Sequence, residues 1–407
     1  MITLGIGLFI LFVLLFGPTP RFQNGRIGKL YRFLTSTFFI KLRNLLVRIF
    51  GSGMNSIFNM LGKVFHGERN PLVLIIYLWI IYYETTEWYQ GAYKPFEELG
   101  VMTNSNLRTV SVMLIVLAVV IICGIFVSPG EITNSNIRHY LKLYPHDKII
   151  YFEEDCPTCN LRKPARSKHC RMLNKCIPKY DHYCGWLMNT IGERNHRIFV
   201  LFLVSNLTIC LYVCYTMYCI FKFKVDKSKM FKQVFRDSKG NILEVGFFFM
   251  ISFLRKVVPR IFKQFFVLLF IVFLLLTFLF NNLFLICKNM TTNEATKFKQ
   301  LKEYLLLQQK SQNTLSIVAH QPENTELTHI NNGLNNGNNN NKQNETETDL
   351  ENAKLNSKIN PYAKHHDQIS QLDPKNLKNT YNKGIFLNIK QFLFPPSIHP
   401  NREFQDI

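Results

Sequence analysis

Between Cys156 and Asn195 the chain places five cysteines (Cys156, Cys159, Cys170, Cys176, Cys184) and two histidines, His169 and His182, among many Lys and Arg residues. Such a segment reads as cytosolic. Thiols there stay reduced, so clustering points to metal binding or catalysis rather than to disulfides. Cys156-x2-Cys159 can grip one zinc ion from a tight knuckle. His169 and Cys176 follow at spacings that let the chain return, completing a three-Cys, one-His tetrahedral set of the closed, structural kind. The alternative is a group of free thiols in a small core. With few large apolar residues nearby, the segment cannot build much of a core, and a metal would supply its folding energy.

Asp181-His182-Tyr183-Cys184 differs in character. A cysteine nucleophile needs help to become a thiolate at neutral pH. A histidine can take the proton, and a carboxylate can fix its tautomer and stabilise the imidazolium. Cys184, His182 and Asp181 offer those three roles within four residues. The same His–Cys pattern also occurs in zinc sites. Because neighbours on a helix or strand point apart, so local a triad is expected to need an irregular backbone.

The elements that must position these residues are apolar. The chain has 407 residues, 47% hydrophobic, with 36 Phe and a formal net charge of +21. The apolar residues are bunched into five stretches, 1–17, 72–83, 110–127, 198–221 and 265–286, the pattern of membrane spans. The second is short and ends in aromatic residues, like an interfacial belt. Lys and Arg flank the spans and face anionic lipid, and no basic–aromatic platform stands apart from them, so nucleic-acid binding is excluded. Basic residues after position 20 suit a signal anchor with its N-terminus in the lumen rather than a cleaved signal peptide. Five spans then leave the cysteine-rich segment and the tail in the cytosol. Residues 222–264 fit poorly, because that lumenal loop is basic and holds an apolar run, 247–254. A crossing at 242–254 would move the tail to the lumen. After Thr291 the chain turns polar, with an Asn-rich tract at 331–341 and disorder expected over about 308–373. Apolar character returns at 379–394.

Several ordered motifs together resemble the DHHC family of protein S-acyltransferases. They are Cys156-x2-Cys159, Lys163-Pro164-Ala165-Arg166, His169-Cys170, Cys176, Asp181-His182-Tyr183-Cys184-x-Trp186, Asn189, Gly192 and Asn195. Ser128-Pro129-Gly130 stands where the family has Asp-Pro-Gly. Thr291-Thr292-Asn293-Glu294 matches the family's TTxE motif, and Asn379-x-Tyr381-Asn382-x-Gly384 with Asn388 matches its C-terminal motif. The short first span and the NMTTNE and TYNKGIF runs are most similar to fungal members that acylate SNARE proteins in the endoplasmic reticulum.

The resemblance implies a mainly α, polytopic membrane protein with about five transmembrane helices, a cytosolic zinc-binding segment and a partly disordered tail. Its parts would be an anchor (1–20), spans two and three (70–127), the catalytic segment (150–197), spans four and five (198–290) and the tail (291–407). It further implies palmitoyl-CoA as donor, Cys184 as acyl carrier, His182 as base and Asp181 as its orienter. Lys163 and Arg166 become candidates for the CoA phosphates, and membrane proteins, SNAREs among them, become the substrates. Thr291, Thr292 and Glu294 would brace the zinc segment against the last span. The family's usual second zinc site would use Cys170 with positions held here by Leu173, Tyr183 and Thr190, so that site is expected to be lost. Gly185 replaces the usual Pro. A non-catalytic zinc scaffold is the main rival. A ubiquitin-ligase module would need two complete metal sites, and a transporter would need ionisable residues in the span centres.

Overall fold

The computed structural model describes residues 25–33, 48, 71–229, 235–236, 242–243, 246–319 and 362–396. The expected first span and the Asn-rich tract lie outside the described residues. The chain divides into two units, residues 1–73 and 74–407. In the first, helix α1 (Arg26–Arg32) carries Lys29 and Arg32 in its last turn, where cations suit the negative end of the helix dipole.

Three helices among the described residues are long and apolar enough to cross a membrane: α4 (Asn104–Phe126), α6 (His196–Ser228) and α8 (Pro259–Cys287). They contain the third, fourth and fifth expected spans. The second forms α2 (Leu72–Trp88), which has 17 residues and continues through a π-turn, Tyr89–Tyr93, into α3 (Lys94–Glu97). At about 1.5 Å per residue, α2 is roughly 25 Å long. Its outer side chains are apolar and exposed (Ile75 55%, Trp79 61%), as a lipid-facing helix requires.

α6 is the central helix and packs on both α4 and α8. Hydrogen bonds tie it to the others: Tyr77 Oη donates to Asn206 Oδ1 at 2.6 Å, Trp88 Nε1 to Thr216 Oγ1 at 3.0 Å, and Asn106 Nδ2 to Tyr212 Oη at 3.1 Å. In hydrocarbon such pairs hold helices together that dispersion alone would leave mobile.

The extramembrane segment between α4 and α6 starts with α5 (Ile137–Leu143) and folds into three two-stranded antiparallel hairpins. These are β1 (Asp155–Cys156) with β2 (Leu161–Arg162), β3 (Lys168–Cys170) with β4 (Lys175–Ile177), and β5 (His182–Cys184) with β6 (Asn189–Ile191). Hairpins this short are marginal alone. The first two are stabilised by a shared core in which Tyr140, Tyr151, Cys156 and Cys176 pack with Leu301, Tyr304 and Leu305 of α9 (Thr292–Ala319) and with Tyr362 and Ile369 of the tail, while Cys184 and Ile191 of the third pack against α4 and α6. The segment thus has an apolar core after all. It borrows it from residues more than a hundred positions later, which local composition could not reveal.

One further expectation changes. Helix α9 runs to Ala319, through the first part of the stretch expected to be disordered, and residues 362–373 are packed and partly helical (α10, His366–Ile369). In the loop after α6, a small hairpin of β7 (Phe235–Arg236) and β8 (Ile242–Leu243) precedes α7 (Phe247–Val257). With 11 residues, α7 reaches about 16 Å and cannot cross. Among the described residues of this loop, no helix is long enough to span, in keeping with five expected crossings.

Candidate active site and metal centre

The metal ligands are set by hairpin register. Asn160, in the left-handed conformation, closes the first knuckle, and its N–H donates to Cys156 O at 2.8 Å. His169 and Cys176 are direct cross-strand partners of β3 and β4, so both project from one face. The donor atoms of Cys156, Cys159, His169 and Cys176 lie within 4.8 Å of one another. His169 Nδ1 is 3.6 Å from Cys156 Sγ, 3.3 Å from Cys159 Sγ and 3.9 Å from Cys176 Sγ. A tetrahedral zinc with its usual bond lengths separates S and N ligands by about 3.6 Å. The donor set therefore fits zinc.

Cys170 faces the other way. Its Sγ lies 2.9 Å from Thr190 Oγ1, and Thr190 is the cross-strand partner of Tyr183. Three residues of the family's second ligand set are thus gathered between β3 and β5–β6. They are joined there by a thiol–hydroxyl contact rather than by four soft ligands, and among the described residues only the first set forms a metal-ligand cluster.

The Asp181–His182–Cys184 row needs no irregular backbone. His182 and Cys184 are i and i+2 on strand β5, so they share a face, while Tyr183 points to the opposite one. Asp181 precedes the strand, and its N–H donates to Ile191 O at 2.9 Å. His182 Nδ1 lies 2.6 Å from Asp181 Oδ2, which turns the ring's other nitrogen away from the carboxylate. The ring also interacts with the Cys184 thiol and packs edge-on against Phe199.

Asp181 is held from a distant element. The first residue of α9, Thr292, donates its N–H to Asp181 Oδ1 at 2.6 Å and its hydroxyl to Oδ2 at 3.1 Å. The positive end of a helix therefore faces the carboxylate. Burial would raise the Asp181 pKa, but the His182 hydrogen bond, the neighbouring His196 and His182 rings and the Thr292 N–H outweigh it, and the group is pulled down to about 2. Burial likewise favours a neutral His182. The Asp181 hydrogen bond and the Cys184 contact outweigh it and push His182 up to about 9.

The same helix end anchors Arg166. Thr291 and Glu294 form a reciprocal capping box: Glu294 N donates to Thr291 Oγ1 at 3.2 Å, and Thr291 N to Glu294 Oε2 at 2.9 Å. The Glu294 carboxylate then receives Arg166 Nε (2.6 Å) and Nη2 (2.8 Å), while Asn289 accepts two further Arg166 donors. Arg166 is 1% exposed, and its guanidinium lies over the Tyr381 ring. The CoA-phosphate role expected for Arg166 is incompatible with this burial; the residue braces the site instead. Lys163 keeps a partly exposed ammonium, 2.7 Å from Glu154.

Asparagines seat this assembly on the spans. Asn189 Nδ2 donates to the carbonyls of Gly124 and Val127, each at 2.9 Å, capping the end of α4. Asn388 Nδ2 donates to Cys287 O and Asn379 Nδ2 to Lys288 O, each at 2.7 Å, capping α8. These groups satisfy carbonyls that a helix end otherwise leaves unpaired. Gly192 is required: a Cβ there would lie 2.6 Å from Ile177 and 2.9 Å from the Pro129 carbonyl. Cys184 is 3% exposed and joins an apolar cluster of Leu117 and Ile121 from α4, Leu187, and Phe199, Phe202 and Leu203 from α6. Trp186 is 43% exposed and packs edge-on against Tyr77.

Comparison with known proteins agrees with this geometry. Residues 149–299 match the DHHC palmitoyltransferase family. The chain is 32% identical over 202 residues to palmitoyltransferase swf1 of Schizosaccharomyces pombe, covering 50% of this chain and 56% of that protein. It is 36% identical over 172 residues to palmitoyltransferase ZDHHC4 of Mus musculus, covering 42% and 50%. It is 32% identical over 201 residues to palmitoyltransferase SWF1 of Yarrowia lipolytica, covering 49% and 52%. The chain thus spans about half the length of these curated relatives. Residues 149–299 are therefore the part of this chain that is similar to the DHHC palmitoyltransferase family.

Proposed function

We propose that this protein is an S-acyltransferase that moves palmitate from palmitoyl-CoA, through a thioester on Cys184, to cysteines of membrane proteins. One observation carries the reading: Asp181, His182 and Cys184 form a connected row whose thiol sits in the apolar cluster at the ends of α4 and α6. In the first step the Cys184 sulfur attacks the donor carbonyl. Its proton resides on His182 and passes to the departing CoA sulfur as the old thioester bond breaks. In the second step the substrate cysteine gives its proton to His182 and attacks the Cys184 thioester, the Cys184–acyl bond breaks, and Cys184 leaves as the sulfur anion beside the protonated His182, which restores the starting state. The exchange is nearly balanced, so the protein's work is positioning and charge stabilisation. An acyl chain gains about 0.8 kcal/mol per buried CH2, which favours a thiol at the membrane boundary.

The substrates in this reading are proteins with cysteines beside their transmembrane anchors, SNAREs in particular. The protein resides in the endoplasmic reticulum membrane with the Cys184 segment facing the cytosol. The resemblance of the NMTTNE and TYNKGIF runs supports both. Lys163 meets a CoA phosphate together with Lys297, a residue that sequence reading did not single out. Both line a cavity of about 150 Å³ with Ser167 and His365. Lys163→Gln is expected to raise KM for palmitoyl-CoA about fivefold and leave kcat unchanged, the loss of one partly exposed charged contact. A change in kcat alone in single-turnover assays would remove this role.

Zinc, when bound by Cys156, Cys159, His169 and Cys176, cross-links the first two hairpins. One zinc per chain is expected by elemental analysis of purified protein. Cys176→Ser should lose it and expose the segment to protease; two zinc ions per chain would contradict the Cys170–Thr190 replacement.

The deciding experiment is hydroxylamine-sensitive labelling of purified protein with alkyne-palmitoyl-CoA, with Cys184→Ala as control. Label on the wild type alone is expected. Folded, zinc-loaded wild type that takes no label would instead indicate a scaffold.

A further inference from the structure

The membrane face opposite Cys184 carries exposed cations that, among the described residues, have no ion-pair partner. α6 starts beside the catalytic segment and runs about 50 Å, so the loop after it lies on the far side. There α7 lays Phe249, Met250, Phe253 and Leu254 against the packed spans. Its outer face begins with Phe247 and Phe248, 65% and 85% exposed, and ends with Arg255 and Lys256. Arg260 and Lys263 follow on the first turns of α8, and all four cations are exposed. Among the described residues, no carboxylate lies within ion-pair distance of any of them.

We propose that α7 lies in the far membrane surface, with Phe247 and Phe248 in the acyl region and Arg255, Lys256, Arg260 and Lys263 binding the phosphates of anionic lipids. Three features favour a lipid occupant. The exposed phenylalanines of α7 are matched on α8 by Phe266, Leu269 and Phe270, which are exposed as lipid-facing residues would be. The helix orders its outer face along its axis, aromatic first and cationic last, as a short helix tilted through a headgroup layer would. Positive charge on this side of a span also runs against the usual distribution of Lys and Arg, and bound anionic headgroups offset that cost. The helix dipole favours Arg255 and Lys256 at the end of α7, but it does not reach Arg260 and Lys263, which sit at the positive start of α8.

The test uses the full chain in nanodiscs of phosphatidylcholine with and without phosphatidylserine. A photoreactive phenylalanine analogue at position 248 is expected to cross-link to lipid. Native mass spectrometry is expected to show retained phosphatidylserine, and Arg255→Gln with Lys256→Gln should lower that retention at least about fivefold. The Arg260→Gln, Lys263→Gln pair should act similarly. The cross-link and the two charge pairs are independent, so one misfolded variant leaves the others readable. A cross-link to a second polypeptide would make the face a protein interface. Absence of lipid adducts, or equal retention of both lipids by wild type and variants, would overturn the proposal.

Discussion

Asp181→Asn is expected to slow formation of the Cys184 thioester about 10²–10⁴-fold while leaving the protein folded and zinc-bound. The amide keeps the shape, and Thr292 can still donate to its oxygen. What is lost is the negative charge that fixes the His182 tautomer and stabilises its imidazolium. Single-turnover labelling across pH gives a readout that a packing defect would not produce. With His182 at about 9, the wild-type rate should stay level through neutral pH and fall as pH rises past 9. In the Asn variant that limb should move down toward the ordinary histidine value near 6.5. An unchanged limb would separate Asp181 from the proton chemistry. Stability has a matching sign. The raised His182 value contributes stability in full below about 6.5, lost as pH climbs through 9. The lowered Asp181 value contributes above about 3.8 and is lost as pH falls toward 2.

The second large effect is on folding. Arg166→Ala should cost about 3–5 kcal/mol, because it strands the buried Glu294 carboxylate and removes a two-point ion pair. Glu294 is also half of the capping box that starts α9, so the grip of Thr292 on Asp181 should loosen as well. Thermal unfolding in detergent should shift down by several degrees with early release of zinc. Arg166→Lys should rescue little, since an ammonium cannot present the fork that Glu294 receives. A variant of normal stability whose only fault is a raised KM for palmitoyl-CoA would restore the phosphate-binding role instead.

These two residues mark how far the sequence could be read. The zinc ligands and the Asp181–His182–Cys184 row were legible because their geometry is local. A knuckle, a cross-strand pair and an i, i+2 relation each follow from spacing of a few residues. Irregular backbone is not needed because His182 and Cys184 occupy alternate positions on one strand, with Asp181 just before it. Arg166 was misplaced for a different reason. A basic residue in a basic segment looks solvated, and its partner Glu294 is 128 positions away. A signal for that contact was present: Thr291-x-x-Glu294 before a helical run is a capping-box pattern, which predicts a buried, organised helix start. The apolar core shared with α9 and residues 362–369 left no such trace, since its two halves are separated by a polar stretch. The span helices were legible from hydropathy, whereas the ends of α4 and α8 depended on asparagines far from them in the chain.

The caps on α8 also set an order of biosynthesis. Asn379, Tyr381 and Asn388 are translated after every described span and after the zinc hairpins. A nascent chain that has already delivered Cys184 to the membrane still lacks the amides that close Cys287 and Lys288, and the ring that covers Arg166. The Cys184 thiol is therefore made early, and the frame around Arg166 and the end of α8 is finished late.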